Sequence, residues 1–158
     1  MKGFRQGGIS PVIVAVDDEL AAGIVESLLN SAGYPVVRAE RAGQVVTLAT
    51  RHQARVVVLD LNSSHRTGLE VIRLLRSGEG RDLRVLALTV QTRAGLEDEA
   101  RAAGADDFLT RPFHPGDLIK SVARLYSARS EARVAHPPAG IAWLTPHARD
   151  PEPPAVAA

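Results

Sequence analysis

The stretch RVVVLDLN, Arg55 to Asn62, runs through three β-branched residues and a leucine without a polar interruption, then meets a carboxylate at Asp60. A half-exposed strand would alternate apolar and polar residues, whereas a continuous apolar run marks a strand covered on both faces, as in parallel sheets. The same signature recurs on either side of it. Val12 to Val16 (VIVAV) ends in Asp17, Asp18 and Glu19, and Leu83 to Leu88 (LRVLAL) ends in Thr89. Val36 and Val37 form a shorter run, and Asp107 to Thr110 (DFLT) ends in Arg111 and Pro112.

The intervals between these runs are long enough for helices. Leu20, Ile24 and Leu28 predict one apolar face, and Gly33 can close that helix in a left-handed conformation. Val45, Leu48 and Ala49 predict a second helix, and Leu69, Ile72 and Leu75 a third. Leu96 to Ala103 is Ala-rich, charged and poor in large apolar residues, so that helix is expected to be the least firmly packed. Leu118, Val122 and Leu125 predict the last, with Asp117 favourable in its first turn. Strands alternating with helices require right-handed crossovers, which predicts an α/β doubly wound domain with helices on both faces of a five-stranded parallel sheet.

Composition narrows the function. The 158 residues fit one domain of ordinary size, with 19 Lys and Arg against 18 Asp and Glu, so no broad basic field points to nucleic acid. The absence of cysteine excludes disulfides, thiolate metal sites and cysteine nucleophiles. No apolar run approaches a membrane span, and Met1 to Pro11 lacks the apolar core of a signal peptide, so the expected location is the cytoplasm. The organisation expected is a flexible segment over residues 1–11, a domain over 12–126, and a disordered tail over 127–158. That tail holds six of the ten prolines and no sustained apolar period.

In an open parallel sheet, ligands bind outside the carboxyl ends of the strands. Those ends are polar here: Asp17, Asp18, Asp60, Thr89 and Arg111. Three carboxylates in one pocket repel one another unless a cation neutralises them. A hard dication such as Mg²⁺ takes oxygen ligands and commonly shares them with a phosphate. A hydroxyl at Thr89 and a cation at Arg111 would suit the remaining phosphoryl oxygens, and a carboxylate can itself be the nucleophile. Taken singly, Asp17 or Asp18 would more often cap a helix than bind a metal, and Thr89 would mean nothing. Their placement at the same end of four strands favours the metal and phosphoryl site.

The stretches VAVDDE, VVVLDLN, LALTV and DDFLTRPF resemble the receiver domain of two-component response regulators, over about Val12 to Tyr126. Gly68 also falls where that family commonly has glycine. The resemblance implies a flavodoxin-like fold with strand order 2-1-3-4-5. It implies that Asp60 accepts a phosphoryl group from a histidine kinase, a phosphotransfer protein or a small phosphodonor. Asp18 and Asp60 would ligate Mg²⁺ with the backbone carbonyl of Asn62, Asp17 acting directly or through water. Thr89 would turn its hydroxyl to the phosphoryl oxygen, and Phe108 would move inward behind it as the switch. The face of the fourth helix, fifth strand and fifth helix would then be remodelled for an output protein. Such a module would catalyse its own phosphorylation and slow hydrolysis without turning over an external substrate.

Three positions depart from the family pattern. Arg111 replaces the usual lysine before a proline often joined by a cis peptide, and arginine's planar fork is not equivalent at a tight site. Ser64 stands where proline is common, and Val90 where a small residue usually leaves room, so Val90 is expected to slow phosphoryl entry and hydrolysis. The first rival reading is therefore a phosphorylation-independent receiver acting as a scaffold. The second is a phosphatase or phosphotransferase with Asp60 as nucleophile, disfavoured because such enzymes need a second aspartate where this chain has Asn62. His52, His65, His114, His136 and His147 show no metal spacing, and Arg73, Arg76, Arg81 and Arg84 read as a solvated face. Trp143, in GIAWLTP, reads as an apolar island without assigned role, and nothing after Tyr126 has the length of an output domain.

Overall fold

Within each uninterrupted apolar run, successive side chains point to opposite faces, so one strand feeds two cores. The computed structural model describes residues 8–62, 68–90 and 93–128, and there the runs become β1 (Val12–Ala15), β2 (Val36–Arg38), β3 (Val56–Asp60), β4 (Arg84–Thr89) and β5 (Asp107–Thr110). Between and after them lie α1 (Glu19–Ser31), α2 (Val45–His52), α3 (Gly68–Ser77), α4 (Leu96–Ala103) and α5 (Pro115–Ser127). All neighbouring strands pair in parallel, in the order β2-β1-β3-β4-β5. This is the flavodoxin-like order expected from the resemblance. Short 3-10 turns at Ala42–Gln44 and Glu79–Asp82, not expected from the sequence, precede α2 and β4.

Ile13, Ala15, Val57, Leu59, Val85 and Ala87 pack on one face of the sheet with residues of α2, α3 and α4. Val12, Val14, Val56, Val58, Leu86 and Leu88 pack on the other with α1 and α5. The α4 helix contributes mainly Leu96, Ala100 and Ala103, a small apolar payload consistent with its composition.

The face of α1 differs from the expectation. Its buried residues are Ala22, Val25 and Leu29, while Leu20 is 76% exposed and Ile24 51% exposed, with Leu28 at the flank. A strict four-residue spacing drifts around the helix, whereas Ala22, Val25 and Leu29 follow the three-then-four spacing of a helix lying flat on a sheet. The alanine masked that stripe in the sequence. Leu29→Ala is expected to cost about 3 kcal/mol by opening a core cavity, and Leu20→Ala within about 0.5 kcal/mol. Equilibrium denaturation of the two variants decides between the faces.

At the amino ends of β4 and β5, the arginines expected to form a solvated face separate into two kinds. Arg73 and Arg81 are exposed. Arg76 instead reaches the Gly104 carbonyl from Nη2 at 2.7 Å, the Leu83 carbonyl at 2.7 Å and Asp106 at 3.0 Å. Arg84 approaches the same carboxylate at 3.4 Å, and Asp106 also accepts the Val85 N–H at 2.7 Å. Contacts distant in sequence thus turn a charged helix face into the clasp that ties α3 to the β4 and β5 ends.

Asp107, at the start of β5, pairs with Arg124 and accepts the Phe108 N–H at 2.9 Å. Burial pushes its carboxyl up, but hydrogen bonds from Ser121 and Phe108 and the Arg124 charge outweigh it and hold it below the usual carboxylate range. A depressed native pKa contributes stability above the unfolded value of about 4, lost as pH falls through the native value. Asp107→Asn is expected to be less stable at neutral pH and to lose less stability on acidification below about pH 4, which unfolding curves across that range would check.

Candidate functional site

Because all strands run in parallel, their carboxyl ends share one edge, and the polar residues ending β1, β3, β4 and β5 gather there. Asp60 is the last residue of β3 and only 3% exposed. Its Oδ1 accepts the backbone N–H of Asn62 at 2.8 Å and its Oδ2 accepts Arg111 Nη2 at 2.9 Å. Arg111 follows β5, where its own N–H donates to the Thr89 carbonyl at 2.7 Å. The chain leaves through a cis Arg111–Pro112 peptide. So a basic residue follows the β5 run because the strand's end points it at the buried carboxylate. The guanidinium is largely buried, and its Nε has no hydrogen-bond partner among the described residues.

Thr89 is fully buried at the end of β4. Its hydroxyl donates to the Asn62 side-chain Oδ1 at 2.9 Å, and the Val90 N–H points to the same oxygen at 3.3 Å. Val90 itself is 52% exposed at the rim. Asp17 and Asp18 are also exposed there. Asp18 caps α1, accepting the Ala21 N–H at 2.7 Å, so the cap reading holds for this side chain as it stands. Phe108 is half-buried against the α2–α4 core, and the described contacts do not place it on Thr89. Ser64, His65, Trp143, His136 and His147 lie outside the described residues.

Gly68 starts α3 directly behind this edge. A Cβ there would meet the Leu61 Cα at 2.5 Å and the Asp60 carbonyl at 2.8 Å, so only glycine lets α3 approach β3 this closely. Its N–H donates to the Leu61 carbonyl at 3.3 Å. His114, given no role by the sequence, caps α5 by accepting the Gly116 N–H on Nδ1 at 3.0 Å.

The donor chemistry fits a hard dication. Asp17, Asp18, Asp60 and the Asn62 backbone offer oxygen alone, and Mg²⁺ is typically held by one or two carboxylates with waters and phosphate completing its shell. No cluster of three or more His, Cys, Asp or Glu side chains among the described residues forms a ready metal cage. The three carboxylates therefore share an edge without forming the tight cluster that the sequence suggested.

Comparison with known proteins agrees with this arrangement. The sequence profile of the response regulator receiver domain matches residues 12–123. The chain belongs to that family, the receiver domains of two-component response regulators. The cell cycle response regulator CtrA of Brucella ovis is 31% identical over 113 residues, covering 70% of this chain and 47% of CtrA. The chain thus spans about half the length of the curated relatives it matches.

Among solved structures, chemotaxis protein CheY4 of Vibrio cholerae superposes with a TM-score of 0.67 at 27% identity, covering 75% of this chain and 99% of CheY4. The receiver domain of sensor histidine kinase PA1611 from Pseudomonas aeruginosa, with a magnesium ion coordinated in its active site cleft, shares the fold. Its TM-score is 0.68 at 24% identity, covering 77% of this chain and all of that domain. Receiver domains are signalling modules rather than enzymes that turn over an external substrate. Among the described residues, no helix is long and apolar enough to cross a membrane.

Proposed function

We propose that this chain is a phosphoacceptor module of a two-component phosphorelay, phosphorylated on Asp60 in a Mg²⁺-dependent reaction and signalling through contact with another protein. The observation that carries the reading is the buried Asp60 carboxylate between a hydrogen-bond donor on one oxygen and the Arg111 guanidinium on the other. A carboxylate oxygen of Asp60 attacks phosphorus, and the P–N bond of a phosphohistidine or the P–O bond of acetyl phosphate breaks. The electron pair leaves with the imidazole or the acetate, and no proton has to be taken from the nucleophile.

Arg111 neutralises charge on the acceptor side, and the Thr89 hydroxyl is the donor proposed for a phosphoryl oxygen. Mg²⁺, when bound, would neutralise the phosphoryl group; Asp18, Asp60 and the Asn62 carbonyl would hold it, with Asp17 direct or through water. A histidine kinase or phosphotransfer protein is the proposed donor. The proposed output surface is formed by α4, β5 and α5, with Phe108 coupling it to the site, and the proposed location is the cytoplasm. Neither nucleic-acid binding nor membrane attachment belongs to the proposed function. Incubation with Mg²⁺ and acetyl phosphate is expected to add one phosphoryl mass to the intact protein and none when Mg²⁺ is chelated. An unchanged mass under both conditions would overturn the proposal.

A further inference from the structure

The Thr89 hydroxyl and the Val90 N–H converge on one acceptor, the Asn62 carboxamide oxygen, at 2.9 and 3.3 Å. The backbone N–H of the same Asn62 holds Asp60 Oδ1 at 2.8 Å. One residue therefore touches the acceptor carboxylate with its main chain and the neighbouring donors with its side chain.

We propose that the Asn62 carboxamide is a built-in competitor for the phosphoryl oxygen, occupying the Thr89 and Val90 donors until phosphorylation displaces it. This rests on the phosphoacceptor reading of Asp60.

The physical argument is one of shared donors. The Thr89 side chain is fully buried, and the neutral Asn62 oxygen accepts from its hydroxyl. A phosphoryl oxygen on Asp60 is anionic and makes the stronger, charge-assisted hydrogen bonds to the same donors. Hydroxyl and amide cannot both serve two acceptors fully, so the amide must leave. It sets a threshold: the incoming group has to replace hydrogen bonds already made, and its net gain is the difference between the two acceptors. A carboxylate in place of the amide would hold the donors harder and repel the phosphoryl group. A methyl would give them up.

The test measures the affinity of the folded protein for beryllofluoride in the presence of Mg²⁺, by titration followed in amide NMR. Asn62→Ala is expected to bind roughly threefold to tenfold more tightly, the share of about one net hydrogen bond, and Asn62→Asp more weakly than the parent. Both variants keep the Asn62 backbone N–H and carbonyl. In the Thr89→Val background the gain from Asn62→Ala is expected to shrink, since one of the two contested donors is gone. The free Asn62→Ala protein is further expected to show the Val90 amide proton shifted upfield, and the adduct to shift it back.

A side chain that merely supports the loop would weaken binding when changed to either residue and leave the Thr89 background without effect. That outcome, or equal affinity in parent and Asn62→Ala, overturns the proposal while leaving Asp60 as the acceptor. An adduct in Asn62→Ala alone would support it most strongly. No adduct in parent or variants overturns the phosphoacceptor reading along with it. Thermal unfolding of each variant confirms that the folded protein is being titrated.

Discussion

Asp60→Ala is expected to take up no phosphoryl group under conditions that add one to the parent, the largest change any single substitution should produce. The reason is chemical rather than a matter of degree. Asp60 is the carboxylate at the strand ends that is both nearly inaccessible to solvent and directly paired with a buried cation, whereas Asp17 and Asp18 are exposed. Asp18 in addition spends an oxygen on the α1 cap. Removing Asp60 removes the nucleophile and releases Arg111 from its pairing with Oδ2. Intact-mass measurement with acetyl phosphate, parent beside variant, gives a yes or no. A phosphoryl group appearing on the variant would move the acceptor to another side chain, and peptide mapping would show which.

Gly68→Ala is expected to destabilise the domain by roughly 2–4 kcal/mol, at the upper end of overpacking costs. The added methyl would sit 2.5 Å from the Leu61 Cα and 2.8 Å from the Asp60 carbonyl oxygen, both main-chain atoms with no rotamer to escape into. Relief requires α3 to move off β3, and α3 carries Val71, Ile72 and Leu75 into the core. The same movement would shift Asp60 and Asn62, so the surviving folded protein should also accept phosphoryl groups more slowly. Urea denaturation reads the first effect and the initial rate of mass increase the second. A variant as stable as the parent would show that the α3 approach is looser than the contact distances require. Gly23 makes an instructive control: a Cβ there meets nothing within 4 Å, and it lies in a helix, where Gly→Ala is ordinarily favourable.

Much of this was legible in the chain itself. The apolar runs had to be strands covered on both sides, because no exposed face would tolerate Val56 to Leu59 or Val12 to Val16. Parallel pairing then puts the residues ending those runs on one edge, so connectivity alone groups Asp60, Thr89 and Arg111. The glycine before LEVIRLL was also visible, although its reason was not: that reason is the proximity of Leu61 to α3, a contact between elements.

Other features depend on information that no local pattern carries. The inward face of α1 is not the one its leucines suggest, because alanine at position 22 counts for little in an apolar stripe, yet a small residue is what allows a helix to lie close to a sheet. Arg76 and Arg84 looked like surface charges because their partners, Asp106 and the carbonyls of Gly104 and Leu83, lie on other elements. The second contact of Asn62, across to Thr89 and Val90, is of the same kind. Sequence by itself determined the strands, their parallel order of assembly as a class, and which chemical groups would crowd one edge, since these follow from hydrophobic period and chain connectivity. Only the tertiary structure decided which oxygen faces which donor, because hydrogen bonds are directional and short, and their partners here lie 27 and 51 residues apart along the chain.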